Sequence, residues 1–210
     1  VGNERTLIVG NIILSPYENE ETAIERAART LHQSGLFAKP LEFSVFRKSV
    51  DARRKNCVRV VWSVAVKCEC GRLDPIIMNK YSIYELEEQE ITVLKGSEEI
   101  NGRPVIIGMG PAGLFCALML AKNGYKPLIL ERGDDVDRRS AAKEKFYSSA
   151  VLDTESNVQF GAGGAGTFSD GKLITRINDA KCTWVLKTFT RFGAPEDILT
   201  KAKPHIGTFR

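Results

Sequence analysis

The sequence predicts an α/β chain of 210 residues in two parts. A small α+β domain of βαββ-like order covers residues 1–95, and a parallel strand–helix–strand unit opens a second domain over 96–210. Three observations predict it. Apolar residues alternate through Val60, Trp62, Val64 and Val66, the period of a half-buried strand. Ala23, Ala27, Ala28 and Leu31 recur at helical spacing before Gly35. Two apolar triplets, Val105-Ile106-Ile107 and Leu128-Ile129-Leu130, flank a glycine-rich turn and an apolar helix, as strands of a parallel sheet covered on both faces do.

Taken in order, residues 6–14 form the first strand, with Leu7, Val9 and Ile12-Ile13 as its apolar positions. Residues 20–34 are helical and stop at Gly35, which suits a left-handed cap. Residues 41–50 and 58–68 pair antiparallel. Arg47-Lys48 and Arg53-Arg54-Lys55 fall at the tip of that hairpin, where water solvates basic side chains without any partner. Residues 71–102 read as an irregular, charged connector. Residues 134–149 form a helix that is polar on one side, and 181–192 form another, with Thr183, Lys187 and Arg191 along one face.

The most informative stretch is Arg103-Pro104-Val105-Ile106-Ile107-Gly108-Met109-Gly110-Pro111-Ala112-Gly113, followed 23 residues after Gly108 by Glu131. Gly108 permits a sharp turn after the strand. Gly110 lets backbone approach a pyrophosphate, and Gly113 lets the helix pack closely on the strand. Pro111 fits the first helical turn, where its missing N–H has no intrahelical partner, and Ala112 continues it. The helix start aims unpaired amides and a positive dipole end at phosphate. Leu114, Ala117, Leu118 and Ala121 continue at helical spacing to a stop at Asn123-Gly124. Glu131, at the end of the second strand, lies where a ribose hydroxyl needs an acceptor. Its charge would repel a 2′-phosphate. The expectation is an ADP-binding site in a Rossmann-like FAD/NAD(P)-binding domain, with NADP disfavoured and FAD and NAD both open. Arg103 and Lys122 bracket 18 uncharged residues, but the glycines and proline in the middle suit strand–turn–helix better than a membrane span.

A second glycine-rich segment follows. Five of the eleven residues from 161 to 171 are glycine, a density that costs chain entropy and implies backbone lying against a ligand or another main chain. Val158, Phe160 and Phe168 anchor it. Gly163, Gly164, Gly166, Thr167, Ser169, Asp170 and Lys172 are its candidate ligand-facing residues. Asp170 and Lys172 either tune a cofactor or pair with each other.

The GMGPAG fingerprint, Glu131-Arg132-Gly133, the run from Glu155-Ser156-Asn157 through Thr167-Phe168-Ser169-Asp170-Gly171-Lys172-Leu173, and Lys203-Pro204-His205-Ile206-Gly207-Thr208 together resemble the uncharacterised bacterial FAD-dependent dehydrogenases. These belong to the two-dinucleotide-fold flavoproteins. Lys48-Ser49-Val50-Asp51-Ala52-Arg53-Arg54-Lys55 is similar to part of the small domain that precedes the flavin fold there. The resemblance covers nearly the whole chain. It implies FAD as cofactor, with the first glycines, Glu131 and Arg132 at the ADP moiety. It also implies that the second loop lies along the pyrophosphate, ribityl chain or flavin ring, and that NAD(P)H serves as reductant at a site outside these residues. Members of that family run well beyond residue 210, so the chain reads as an N-terminal fragment. Two parallel strands alone cannot cover both sheet faces, which predicts weak FAD retention by these residues alone.

Composition sets the remaining bounds. Apolar residues make up 43% and charged residues 27%, with a net charge of +4 and no basic tail, so a folded domain without nucleic-acid binding is expected. Five cysteines in no even framework suit the cytoplasm. Cys68-Glu69-Cys70 lacks redox-motif spacing, and the CxxxxC pair of flavin disulfide reductases is absent from the second glycine motif. His32 and His205 are isolated, so neither a metal site nor a catalytic triad is expected, and no catalytic residue is named. The expected function is an FAD-dependent oxidoreductase acting on an unidentified small molecule. The alternatives are an NAD-binding dehydrogenase domain, or a non-catalytic flavin- or NAD-sensing module whose N-terminal domain binds a partner.

Overall fold

Local signals and long-range pairing build the N-terminal sheet together in a computed structural model, which describes residues 3–36, 38–87, 91, 93–94, 96–177 and 179–207. Helix α1 spans Glu20–Ser34. Asn19 caps it by accepting from the Thr22 amide, and Gly35 ends it in the left-handed region at φ 71°. Its Ala23, Ala27 and Leu31 are buried against one face of a sheet formed by β1 (Asn3–Leu14), β2 (Ala38–Asp51), β3 (Arg59–Cys70) and β4 (Ile83–Glu85). Strand order is β2-β3-β1-β4, and every neighbouring pair is antiparallel. Leu7, Val9, Trp62, Val64 and Val66 form the centre of that core. Each of the aliphatic ones, taken fully out of water, contributes about 1.5–3 kcal/mol.

The connector expected over 71–102 is corrected. It contains α2, Pro75–Lys80, started by Asp74 and a proline in its first turn, and then β4, whose Ile83 is buried. β4 pairs with β1 across more than seventy residues, Val9 opposite Ile83 and Leu7 opposite Glu85. The order is therefore βαββαβ, a split βαβ arrangement, where βαββ was expected. A three-residue strand carries too little periodicity to be read locally; its partner defines it. Residues 88–90, 92 and 95 of the connector lie outside the described residues, as does Thr208 of the C-terminal motif.

The chain forms two compact units, Val1–Ile91 with Leu173–Ile206, and Thr92–Lys172 with Gly207–Arg210. Sequence continuity assigns everything after residue 95 to the second part, whereas the contacts return Leu173–Ile206 to the first. In that segment α5 (Ala180–Arg191) is capped by Asp179, and a 3-10 turn, Glu196–Leu199, buries Ile198 completely. The Lys48 amide donates to Thr200 O at 2.7 Å and the Ala202 amide to Lys48 O at 3.0 Å. These bonds extend the β2 edge by a parallel bridge.

The second unit holds β5 (Val105–Ile107), α3 (Pro111–Lys122), β6 (Leu128–Leu130) and α4 (Val136–Ser149). β5 and β6 are parallel, in the register Val105–Leu128, Ile106–Ile129 and Ile107–Leu130. Ile106 and Ile129 are partly buried on the face that α3 covers, while Ile107 is 80% and Leu130 49% exposed on the other. The chain is thus a mixed α/β protein with one four-stranded antiparallel and one two-stranded parallel sheet. Among the described residues no helix is long and apolar enough to cross a membrane, and the uncharged run after Arg103 divides into strand, turn and helix.

Candidate functional site

Each fingerprint glycine occupies a different physical environment. Gly108 leaves β5 at φ 96°, a region a side chain rarely adopts, and its amide donates to Leu130 O at 2.7 Å. Gly113 lies directly over that turn. A Cβ built there would stand 2.0 Å from Gly108 O and 3.4 Å from the Ile106 side chain, so only glycine allows the observed helix-to-strand distance. Gly110 is the opposite case: a Cβ would meet nothing within 4 Å. It is the N-cap of α3 and offers no side-chain cap, so the first amides of the helix receive no acceptor from that residue. Pro111 takes the first helical turn, and Ala112 beside it is exposed.

Glu131 reaches this turn by a different route from the one its spacing implied. Its Oε2 accepts from the Met109 amide at 2.5 Å and its Oε1 from the Gly133 amide at 2.8 Å. These two amide bonds, Gly133 first, hold the carboxyl below its ordinary value of 4.5, because bonds to the charged form favour it. Each oxygen keeps a further lone pair for a hydroxyl.

The second glycine segment packs on the same turn. The Gly163 amide donates to Met109 O at 2.9 Å, so the Met109 peptide is held by Glu131 on its N–H and by the loop on its carbonyl. Gly164, at φ 70°, would place a Cβ 3.1 Å from Pro111 Cδ and 3.3 Å from Gly110 Cα. Of the two expected reasons for its glycines, contact with another main chain is the one visible at these positions. Gly166, by contrast, has open space around it within a 3-10 turn, Ala165–Phe168. Thr167 Oγ1 donates to Ala162 O at 3.1 Å, and Ser169 Oγ accepts from the Gly171 amide at 3.2 Å. Asp170 and Lys172 form an exposed ion pair at 2.7 Å. Arg132 is likewise exposed; it pairs with Glu155 at 3.0 Å and lies over the Phe160 ring.

The residue that sequence reasoning missed is Arg139 of α4, which is fully buried. Its guanidinium donates to Ala162 O at 2.5 Å, Gly164 O at 3.0 Å, Val158 O at 3.2 Å, Asn157 O at 3.3 Å and Thr167 Oγ1 at 3.4 Å. Its plane also stands 4.9 Å from the Phe168 ring centre. The available signal was indirect. A glycine-rich loop without secondary structure exposes many carbonyls that need donors if buried, and a nearby arginine supplies five.

The structure thus brings together Gly108, Gly110, Pro111, Gly113, Glu131, Gly163 and Gly164. The side chains of Arg132, Asp170 and Lys172 make exposed ion pairs instead. The assembled turn presents a helix start without a side-chain cap and an open Cβ position at Gly110 beside a carboxylate, a set suited to a phosphate next to a hydroxyl.

No protein-family model matches the chain. Over 202 residues it is 44% identical to a Clostridium beijerinckii protein described only as "Uncharacterized protein". The match covers 95% of this chain, which spans 37% of the length of that relative.

Proposed function

We propose that the second unit is the ADP-binding part of a Rossmann-like FAD domain and that the protein is an FAD-dependent oxidoreductase acting on a small molecule. One observation carries the reading. Gly113 has no room for a methyl group, whereas one on Gly110, three residues earlier, would meet nothing within 4 Å. A glycine turn serving packing alone would leave Gly110 unexplained; a pyrophosphate lying on Gly110 and the start of α3 explains both. The donor set fits the group: Gly110, Ala112 and Gly113 for the diphosphate, with the spare lone pairs of Glu131 for the adenosine ribose. That carboxylate disfavours a 2′-phosphate.

Bound FAD would supply hydride and electron transfer, and the protein orients it and sets its electrostatics. The residues described here act on its nucleotide end: the turn binds, Glu131 orients, and Gly163 and Gly164 hold the turn in place. The second glycine segment favours FAD over NAD as the nucleotide here, since it adds a further wall beside the first turn. NAD(P)H is then the reductant at a separate site. Five free thiols, two of them buried in the first unit, suit a reducing compartment such as the cytoplasm.

The complete gene product should be yellow and release FAD on denaturation, as read by absorption and chromatography. A colourless product that binds NAD stoichiometrically would overturn the flavin assignment. One that binds neither would overturn the nucleotide site.

A further inference from the structure

A buried charge is ordinarily paired with an opposite one. Arg139 is 0% exposed, yet its five hydrogen bonds go to four backbone carbonyls and one hydroxyl. No carboxylate is among these partners. All five N–H groups of the planar fork are used, and each acceptor belongs to the segment 157–167. That segment is the one whose Gly163 amide holds Met109 O and whose Gly164 abuts Gly110 and Pro111. Lys143 from the same helix stands 5.0 Å from the Phe168 ring centre, so the same ring meets two cations of α4.

We propose that Arg139 is the positioning residue of the nucleotide site: it gathers residues 157–167 into one arrangement that presses Gly163 and Gly164 onto the Met109–Pro111 turn and so fixes the diphosphate-facing backbone. The inference rests on the nucleotide reading above and adds the residue that assembles the site from a distance. The geometry requires the fork. Lysine keeps the charge, but its single nitrogen cannot span carbonyls that diverge from three guanidinium nitrogens.

The test compares the complete gene product with its Arg139→Lys and Arg139→Met variants, by two measurements. The first is amide hydrogen exchange without nucleotide. Gly163 and Gly164 should be protected in the parent and exchange at least roughly tenfold faster in both variants. Gly108 and Leu114, bonded within the strand and helix, should keep their protection and so report an intact β5–α3 unit. The second is calorimetric affinity for ADP and for adenosine. ADP binding should weaken by roughly tenfold in both variants, and adenosine binding by less than about twofold, because the displaced turn faces phosphate.

Unchanged exchange at Gly163 overturns the proposal. So does parent-like behaviour of Arg139→Lys in both measurements, which would reduce the role to charge, and so does an equal loss for ADP and adenosine, which marks general destabilisation. A complete gene product with protected Gly163 that binds neither ligand refutes the nucleotide reading itself, and with it the role given to Arg139 there, while the exchange data still report whether the clamp exists.

Discussion

Replacing Gly113 with alanine sets two magnitudes of opposite sign against each other. By intrinsic propensity the change favours α3 by about 1 kcal/mol. In the folded chain the added methyl would stand 2.0 Å from Gly108 O and 3.2 Å from Gly108 C. Those are backbone atoms of a turn held by the Gly108–Leu130 hydrogen bond, so no side chain can swing aside. Restoring an ordinary contact of 3.4 Å needs about 1.4 Å of separation between α3 and β5. That movement would open the covered face of the parallel pair, where Ile106 lies. Overpacking of this kind costs about 3 kcal/mol at the upper end of its usual range, leaving a net loss of about 2 kcal/mol. The Leu114 amide, which donates to Gly110 O at 3.0 Å, should then exchange roughly thirtyfold faster by NMR. Gly110→Ala is the control. Its φ is −78° and its surroundings are open, so stability should fall by less than about 1 kcal/mol, while ADP affinity drops because the methyl occupies the ligand side. A Gly113→Ala chain at least as stable as the parent would refute the packing argument, and with it the distinction between the two glycines.

Two pH-dependent predictions follow from the same structure. Glu131 has its folded pKa held below 4.5 by the Gly133 and Met109 amides; its contribution is therefore present above that value and is lost as pH falls through the lower folded value. Glu131→Gln, which presents an amide N–H₂ to a backbone donor, should cost about 1.5 kcal/mol near neutrality. The gap between parent and variant in urea midpoint should narrow on acidification below about pH 4.5, and a gap independent of pH would show that the charge is not what holds the turn. In the first unit, burial and then the neighbouring Cys70 push the Cys68 thiol from 9.0 up to about 12. Because the folded value is raised, its contribution is complete below 9.0 and declines as pH rises towards 12. Iodoacetamide at about pH 8 should accordingly label the exposed Cys57 and Cys116 by mass spectrometry and spare Cys68 and Cys70; labelling of Cys68 in the folded chain would contradict its burial.

What the sequence determined by itself is what local rules encode. Asn19 and Gly35 bound α1 because a cap and a left-handed glycine act on adjacent backbone. The triplets 105–107 and 128–130 are strands because continuous apolar runs and a glycine turn are local signals, and the three fingerprint glycines were legible for the same reason. Tertiary structure decided what depends on segments far apart in the chain. β4 is a strand because β1 offers it an edge, and Leu173–Ile206 joins the first unit where Thr200 and Ala202 bond Lys48 of β2. The spacing put Glu131 at the end of the second strand, and the fold decides that its oxygens meet the Met109 and Gly133 amides. Arg139 was invisible as a site residue because an arginine in a polar helix is ordinarily solvated. Only the convergence of four carbonyls and a hydroxyl from a distant loop makes its burial favourable, and that convergence is a property of the fold, which no local stretch of sequence carries.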